Sequence, residues 1–151
     1  SRRLCCPWLI WSYYGNNRKI IMYSLGSKSI ERLKGVHPDL VKIIEEAIKE
    51  SPLDFSITEG LRTPERQQQL FNEGKSQTLR SRHITGHAVD IAVLIDGKIT
   101  WEFPKYQLVS DHIKTVAKSL NIPIVWGGDW ISFKDGPHFE LDKSKYPATG
   151  G

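Results

Sequence analysis

The sequence predicts a single domain that mixes helices with short strands, on three observations. Apolar residues recur at helical spacing in two long segments, and short alternating or apolar runs lie between and after them. Asp96-Gly97 stands between two such runs as a hairpin turn. A chain of 151 residues is long enough for one domain with a real core and too short for two ordinary ones. No apolar run approaches the length needed to cross a bilayer, so no stable membrane insertion is expected.

Residues 1–21 do not match the rest. Arg2-Arg3 precede a short apolar run, Leu4 to Trp11, but Pro7 interrupts it and Tyr13-Tyr14-Gly15 offers no small-residue cleavage site. The only methionine, Met22, stands immediately before a regular domain. Residues 1–21 are therefore read as an extension outside the fold, the functional alternative being a cationic, aromatic arm that docks on an anionic envelope. The domain is expected over 22–141. After Leu141 the chain turns polar and Gly-rich, so 142–151 is expected to be a loose tail.

The first long helix runs from Pro38 to Ser51, with Leu40, Val41, Ile44, Ala47 and Ile48 inward and Pro38 in its first turn. Phe55 to Thr58 alternates like a strand. Thr63 is a good N-cap and Pro64 a good first helical residue, so a helix starts there and stops at Gly74. Ala88 to Ile95 reads as a buried strand, and Lys98 to Glu102 returns from the Asp-Gly turn as its partner. Tyr106 to Leu120 forms the second long helix, with Ile113, Val116, Ala117 and Leu120 inward. Two short strands joined by a loop fit Ile124 to Leu141.

Charge and cysteines narrow the function. Arg2, Arg3, Arg18 and Lys19 account for the whole net charge of +4, so the folded body is neutral and gives no argument for nucleic-acid binding. Cys5 and Cys6 are adjacent, and the body contains no cysteine. It is neither a disulfide scaffold nor a thiolate zinc module, so any metal must be held by nitrogen and oxygen.

The chemistry concentrates between Ser81 and Asp90. His83 and His87 are spaced as in the helical zinc motif HExxH, but Ile84 occupies the place of the glutamate and Thr85-Gly86 is poor helix material. If the chain is extended from Ala88 onward, Ala88, Asp90 and Ala92 share one face, and Val89, Ile91 and Val93 the other. Asp90 then sits mid-sheet between small neighbours, and an unpaired carboxylate there is costly, so it needs a cation. His83, carried over it by a turn at Gly86, is the natural co-ligand, and His87 is read as a neighbour. His138 on the last strand supplies a third ligand, with Phe139 and Leu141 facing the core. Two histidines and a carboxylate, with a fourth position open to water, form the ligand set of a catalytic zinc site. Asp135 precedes His138 across a Gly-Pro bend that can turn its carboxylate toward that position. Arg62 lies between a strand end and a helix start, and on position alone it reads as an arginine paired with a surface carboxylate. His37 and His112 are read as structural or solvent-facing.

The pattern Ser81-x-His83-x-x-Gly86-x-Ala88-x-Asp90, followed by Asp135-x-Pro137-His138, resembles the zinc peptidases that cut bacterial cell-wall peptides. These include D-alanyl-D-alanine carboxypeptidases and dipeptidases, and phage L-alanyl-D-glutamate endopeptidases. The likeness spans roughly Met22 to Leu141. It implies an α+β fold with a small, mostly antiparallel sheet flanked by helices, shared with the zinc-bearing hedgehog domain. It implies His83, Asp90 and His138 as ligands of Zn2+, Asp135 as catalytic base and Arg62 as the group that steadies the substrate carbonyl or tetrahedral intermediate. Ser81 matches a residue lining the substrate pocket. Aspartate at 135, where the carboxypeptidase and dipeptidase branches tend to have glutamate, resembles the phage endolysin branch, which cuts the L-Ala–D-Glu bond. That branch implies a monomer acting on bacterial peptidoglycan, made in the host cytoplasm and released to the wall through a separate membrane pore. The alternatives are a D-Ala-D-Ala carboxypeptidase and a non-catalytic zinc domain that binds a partner.

Overall fold

The computed structural model describes residues 21–148. Of the expected extension, residues 1–20 lie outside the described residues, as do 149–151 of the expected tail. Within them the order is α1 (Ser27–Arg32), α2 (Pro38–Lys49), β1 (Asp54–Glu59), α3 (Pro64–Asn72), β2 (Ala88–Ile95), β3 (Lys98–Thr100), α4 (Phe103–Ser119), β4 (Ile124–Trp126), a 3-10 turn (Gly127–Asp129) and β5 (His138–Leu141). The strands form one sheet in the order β1-β2-β5-β4, with β3 paired to the end of β2, and every pairing is antiparallel. This is the expected α+β class.

The sheet has a core face and a site face. Phe55, Ile57, Val89, Ile91, Val93, Phe139 and Leu141 point to one side and are buried against α2 and α4, where Leu40, Ile43, Ile44, Val109 and Ile113 close the core. The period of two along β2 and β5 puts Asp90, His138 and Glu140 on the other side. Asp90 pairs with His138 across the ladder and Ala88 with Glu140, so the register itself brings these side chains together.

Two boundaries differ from expectation. α4 begins at Phe103 rather than Tyr106, because Pro104 fits the first turn and Glu102 takes the cap position, which also shortens β3 to Thr100. The short α1 is missing from the sequence reading. Its Ser29 hydroxyl accepts from the Ile57 N–H at 2.9 Å and its Arg32 donates to the Ile57 carbonyl at 3.0 Å, so it satisfies the free edge of β1. Of the segment expected as a loose tail, Tyr146 is docked. Its hydroxyl donates to the Asp39 carboxylate at 2.6 Å and its ring stands edge-on to His37. His37 itself caps α2, accepting from the Asp39 N–H, and His112 bonds the Ala47 carbonyl at 2.8 Å, tying α4 to α2.

Candidate metal centre

Three elements converge on Asp90. Its Oδ1 lies 3.3 Å from His83 Nε2 and 3.2 Å from His138 Nδ1, and the ligand atoms of the three residues all fall within 4.8 Å of one another. Asp90 and His138 come from neighbouring strands. His83 comes from the turn before β2, where the Ser81 hydroxyl accepts from the His83 N–H and the His83 carbonyl accepts from the Arg62 N–H at 3.0 Å. Gly86 makes the reversal possible. Its φ is +78° and a side chain there would strike the Gly35 carbonyl, so only glycine fits both the conformation and the space.

The hydrogen bonds of the two imidazoles show what the cluster is built to hold. His83 Nδ1 lies 2.9 Å from the Gly60 carbonyl, which can only accept, so Nδ1 carries the proton and Nε2 presents a lone pair. That Nε2 is buried and has no hydrogen-bond partner. His138 is held in the opposite sense. Its Nε2 lies 2.9 Å from Glu140 Oε1, which directs Nδ1 toward Asp90. Two imidazole nitrogens and a carboxylate oxygen converge here, both rings buried and Asp90 partly so, and a metal ion fits that donor set.

Electrostatics agree. Burial alone would raise the Asp90 carboxyl, but the hydrogen bond from His138 and the adjacent His83 ring outweigh it and hold the group well below the usual carboxylate range. Burial would lower His138, yet its bonds to Asp90 and Glu140 push it up to about 9. Asp135 shifts the other way: burial and then the nearby Asp90 charge raise it.

Arg62 is buried, and its partners are not those of a surface arginine. Its Nε and Nη2 donate to the two Glu59 oxygens at 2.9 and 2.7 Å, and Nη1 donates to Gln67 Oε1 at 2.6 Å. Nη2 also stands 3.5 Å from Asp90 Oδ2. A bulge in β1 sets this up: the register slips between Ile57 and Glu59, so Glu59 rather than Thr58 faces Asp90. Thr63 then caps α3 by accepting from the Arg66 N–H, fixing the backbone right after Arg62. The paired-arginine reading is correct about a carboxylate partner and wrong about the surface.

Asp135 is placed by the bend before β5. Its N–H donates to the Gly127 carbonyl at 3.0 Å and its carbonyl accepts from the His138 N–H at 3.2 Å. Gly127 is packed so closely that a side chain there would meet the Asp135 carbonyl and the Cβ atoms of Asp135 and His138. Trp126 Nε1 donates to the Gly136 carbonyl at 2.7 Å and closes the bend. The cluster opens into a cleft of about 470 Å³, which Arg62, Ser81, His83, Asp90, Asp135 and His138 all line. Every residue singled out from the sequence for chemistry thus reaches one cavity. His87 does not. Its ring packs on His37 and its Nδ1 bonds the Thr85 hydroxyl.

Sequence reasoning missed the supporting residues. Glu140 and Arg82 are buried together behind His138, with Arg82 Nε 3.7 Å from Glu140 Oε2 and Arg82 Nη2 donating to the Leu141 carbonyl. The strand period put Glu140 on the same face as His138, and that signal was available. Glu59 was hidden by the bulge, and Gln67 by its place on a polar helix.

Comparison with known proteins gives a consistent picture. The phage L-alanyl-D-glutamate peptidase family profile matches residues 21–144. The L-alanyl-D-glutamate peptidase of Escherichia phage T5 is 34% identical over 128 residues, covering 82% of this chain and 93% of that protein. The peptidoglycan L-alanyl-D-glutamate endopeptidase CwlK of Bacillus subtilis (strain 168) is 32% identical over 123 residues, 70% of this chain and 73% of its own. The crystal structure of the Serratia marcescens L-Ala D-Glu endopeptidase ChiX superposes with a TM-score of 0.79 at 44% identity, covering 88% of this chain and 98% of that one.

Proposed function

The chain belongs to the phage L-alanyl-D-glutamate peptidase family, and we propose that it is a zinc metallopeptidase that hydrolyses the L-Ala–D-Glu bond of peptidoglycan stem peptides. The observation that carries the metal assignment is the buried, unpartnered Nε2 of His83, aimed with His138 Nδ1 at the Asp90 carboxylate. His83, Asp90 and His138 would hold the ion. A zinc ion in such a site supplies a Lewis acid and lowers the pKa of water.

The chain's own groups do the rest. Asp135, its carboxylate made more basic by burial and by Asp90, takes the proton of the attacking water and passes it to the departing D-glutamate nitrogen. The Arg62 guanidinium is locked by Glu59 and Gln67, so it steadies the developing oxyanion without reorganising. Ser81 braces the backbone of His83 through its hydroxyl and faces the cleft beside the bound peptide.

Among the described residues no helix is long and apolar enough to cross a membrane. The reading extends to a phage-type endolysin that acts as a monomer and passes from the host cytoplasm to the wall through a separate pore. Purified sacculi treated with chelator-stripped protein test the metal assignment. Cleavage is expected to vanish on stripping and return with zinc. Cleavage that survives complete removal of metal would overturn it.

A further inference from the structure

Three aromatic residues, Trp101, Trp130 and Phe133, line the cleft, and the reaction proposed above leaves them without a task. Trp130 leans on His138 with ring centroids 5.1 Å apart, and Phe133 and Trp101 also line the cleft. Both of these are open to solvent, Trp101 at 63% exposure. Trp101 nevertheless rests on a fixed neighbour. Its ring lies parallel to Tyr106, 6.0 Å away at 5°, and the Tyr106 hydroxyl is fixed by the Thr100 carbonyl and the Val93 N–H. The backbone of Phe133 is left-handed, with φ of +53°, an unusual conformation for a bulky residue at a place where its side chain reaches the cleft. The lining also includes the polar residues Lys75, Ser76, Gln77 and Thr78.

We propose that Trp101 and Phe133 form a subsite for the sugar of the glycan strand, stacking on the apolar face of a pyranose ring. The inference rests on the peptidase reading and deepens it. In peptidoglycan the L-alanine of the stem is joined through a lactyl group to muramic acid. The sugar therefore lies on the order of 7 Å from the scissile carbonyl, a reach of about two residues. An enzyme that cuts this bond in the intact wall must receive the sugar on one wall of its cleft. Flat, pre-positioned aromatic faces suit the C–H face of a sugar, and such rings bind at low entropic cost. The Lys75 ammonium and Gln77 amide in the same lining suit the free carboxylate of D-glutamate on the other side of the bond.

The test compares two substrates that share the stem peptide, one carrying the N-acetylglucosamine–N-acetylmuramic acid disaccharide and one ending at an acetylated L-alanine. For Trp101→Ala, the ratio of kcat/KM on the sugar-bearing to the sugar-free substrate is expected to fall roughly three- to tenfold, mainly through KM. Trp101→Phe, which keeps a flat ring, recovers most of the ratio and controls for folding. Glycan strands freed of peptide quench the tryptophan fluorescence of the wild type and quench that of Trp101→Ala less. An unchanged ratio in Trp101→Ala, with either equal losses on both substrates or no loss on either, overturns the subsite. Failure of the wild type to cut either substrate overturns the peptidase reading instead.

Discussion

The Nε2 of His138 lies 2.9 Å from the Glu140 carboxylate, two residues further along the same strand. The pleat puts both side chains on the site face, and Arg82 lies beside the buried carboxylate at 3.7 Å. This bond selects the tautomer that turns Nδ1 toward Asp90. Glu140→Ala is expected to weaken zinc binding roughly 10- to 100-fold, while Glu140→Gln, which can still accept from Nε2, recovers much of it. Competition against a chromogenic chelator measures both. Equal affinities for wild type and Glu140→Ala would remove Glu140 from the site.

A base role for Asp135 predicts that catalysis and metal binding separate at this residue. Asp135→Asn should bind zinc normally and lose activity by roughly 10²- to 10⁴-fold. It should also raise the melting temperature of the metal-free protein at neutral pH. A carboxyl whose pKa is raised on folding adds stability below its unfolded pKa and forfeits it as pH rises through the folded value. The asparagine carries no such loss, so its advantage should fade as the pH falls below the usual carboxylate range. A less stable Asp135→Asn at neutral pH would contradict the assigned burial.

Zinc binding should release protons. In the metal-free protein His138 is pushed up to about 9, so at neutral pH its ring is protonated, whereas a metal ligand must be neutral. Calorimetric titration in buffers of different ionisation enthalpy is expected to show about one proton released per zinc near pH 7. The linkage has a stability counterpart. The contribution of His138 to metal-free stability is full below the usual imidazole range and is lost as pH rises through about 9. That of Asp90, whose pKa is lowered, is present above the usual carboxylate range and is lost as pH falls through its depressed folded value. Zinc binding with no proton release would place the proton elsewhere.

Gly127 is a mechanical test of the Asp135 bend. A methyl group there meets the Asp135 carbonyl and the His138 Cβ, so Gly127→Ala must displace Asp135, His138 or both. Overpacking of this kind costs about 1–3 kcal/mol. Activity should fall further than that loss of stability explains. Chemical denaturation and turnover on one preparation measure the two effects together.

Much of this site was legible because strand alternation is a strict rule. Asp90 between Ala88 and Ala92, and His138 opposite Phe139 and Leu141, follow from the period of two, and pairing adjacent strands then joins them. The Asp96-Gly97 turn and the Thr63-Pro64 helix start were equally plain, because local backbone chemistry fixes them. What stayed hidden depends on exceptions or on distance. The bulge that turns Glu59 toward Asp90 breaks the alternation that made the rest readable. The partnership of Arg62 with Gln67 depends on how the chain turns from β1 into α3, and Tyr146 finds Asp39 from the far end of the domain. Glu140 obeyed the alternation but was read only as part of a strand end.

The measurement that tests the central claim most directly is the identity of the amino terminus made when the zinc-loaded protein digests purified peptidoglycan. The account predicts a new N-terminal D-glutamate and no free D-alanine. Release of free D-alanine without that terminus, or intact peptidoglycan after incubation with verified zinc-loaded protein, would contradict it.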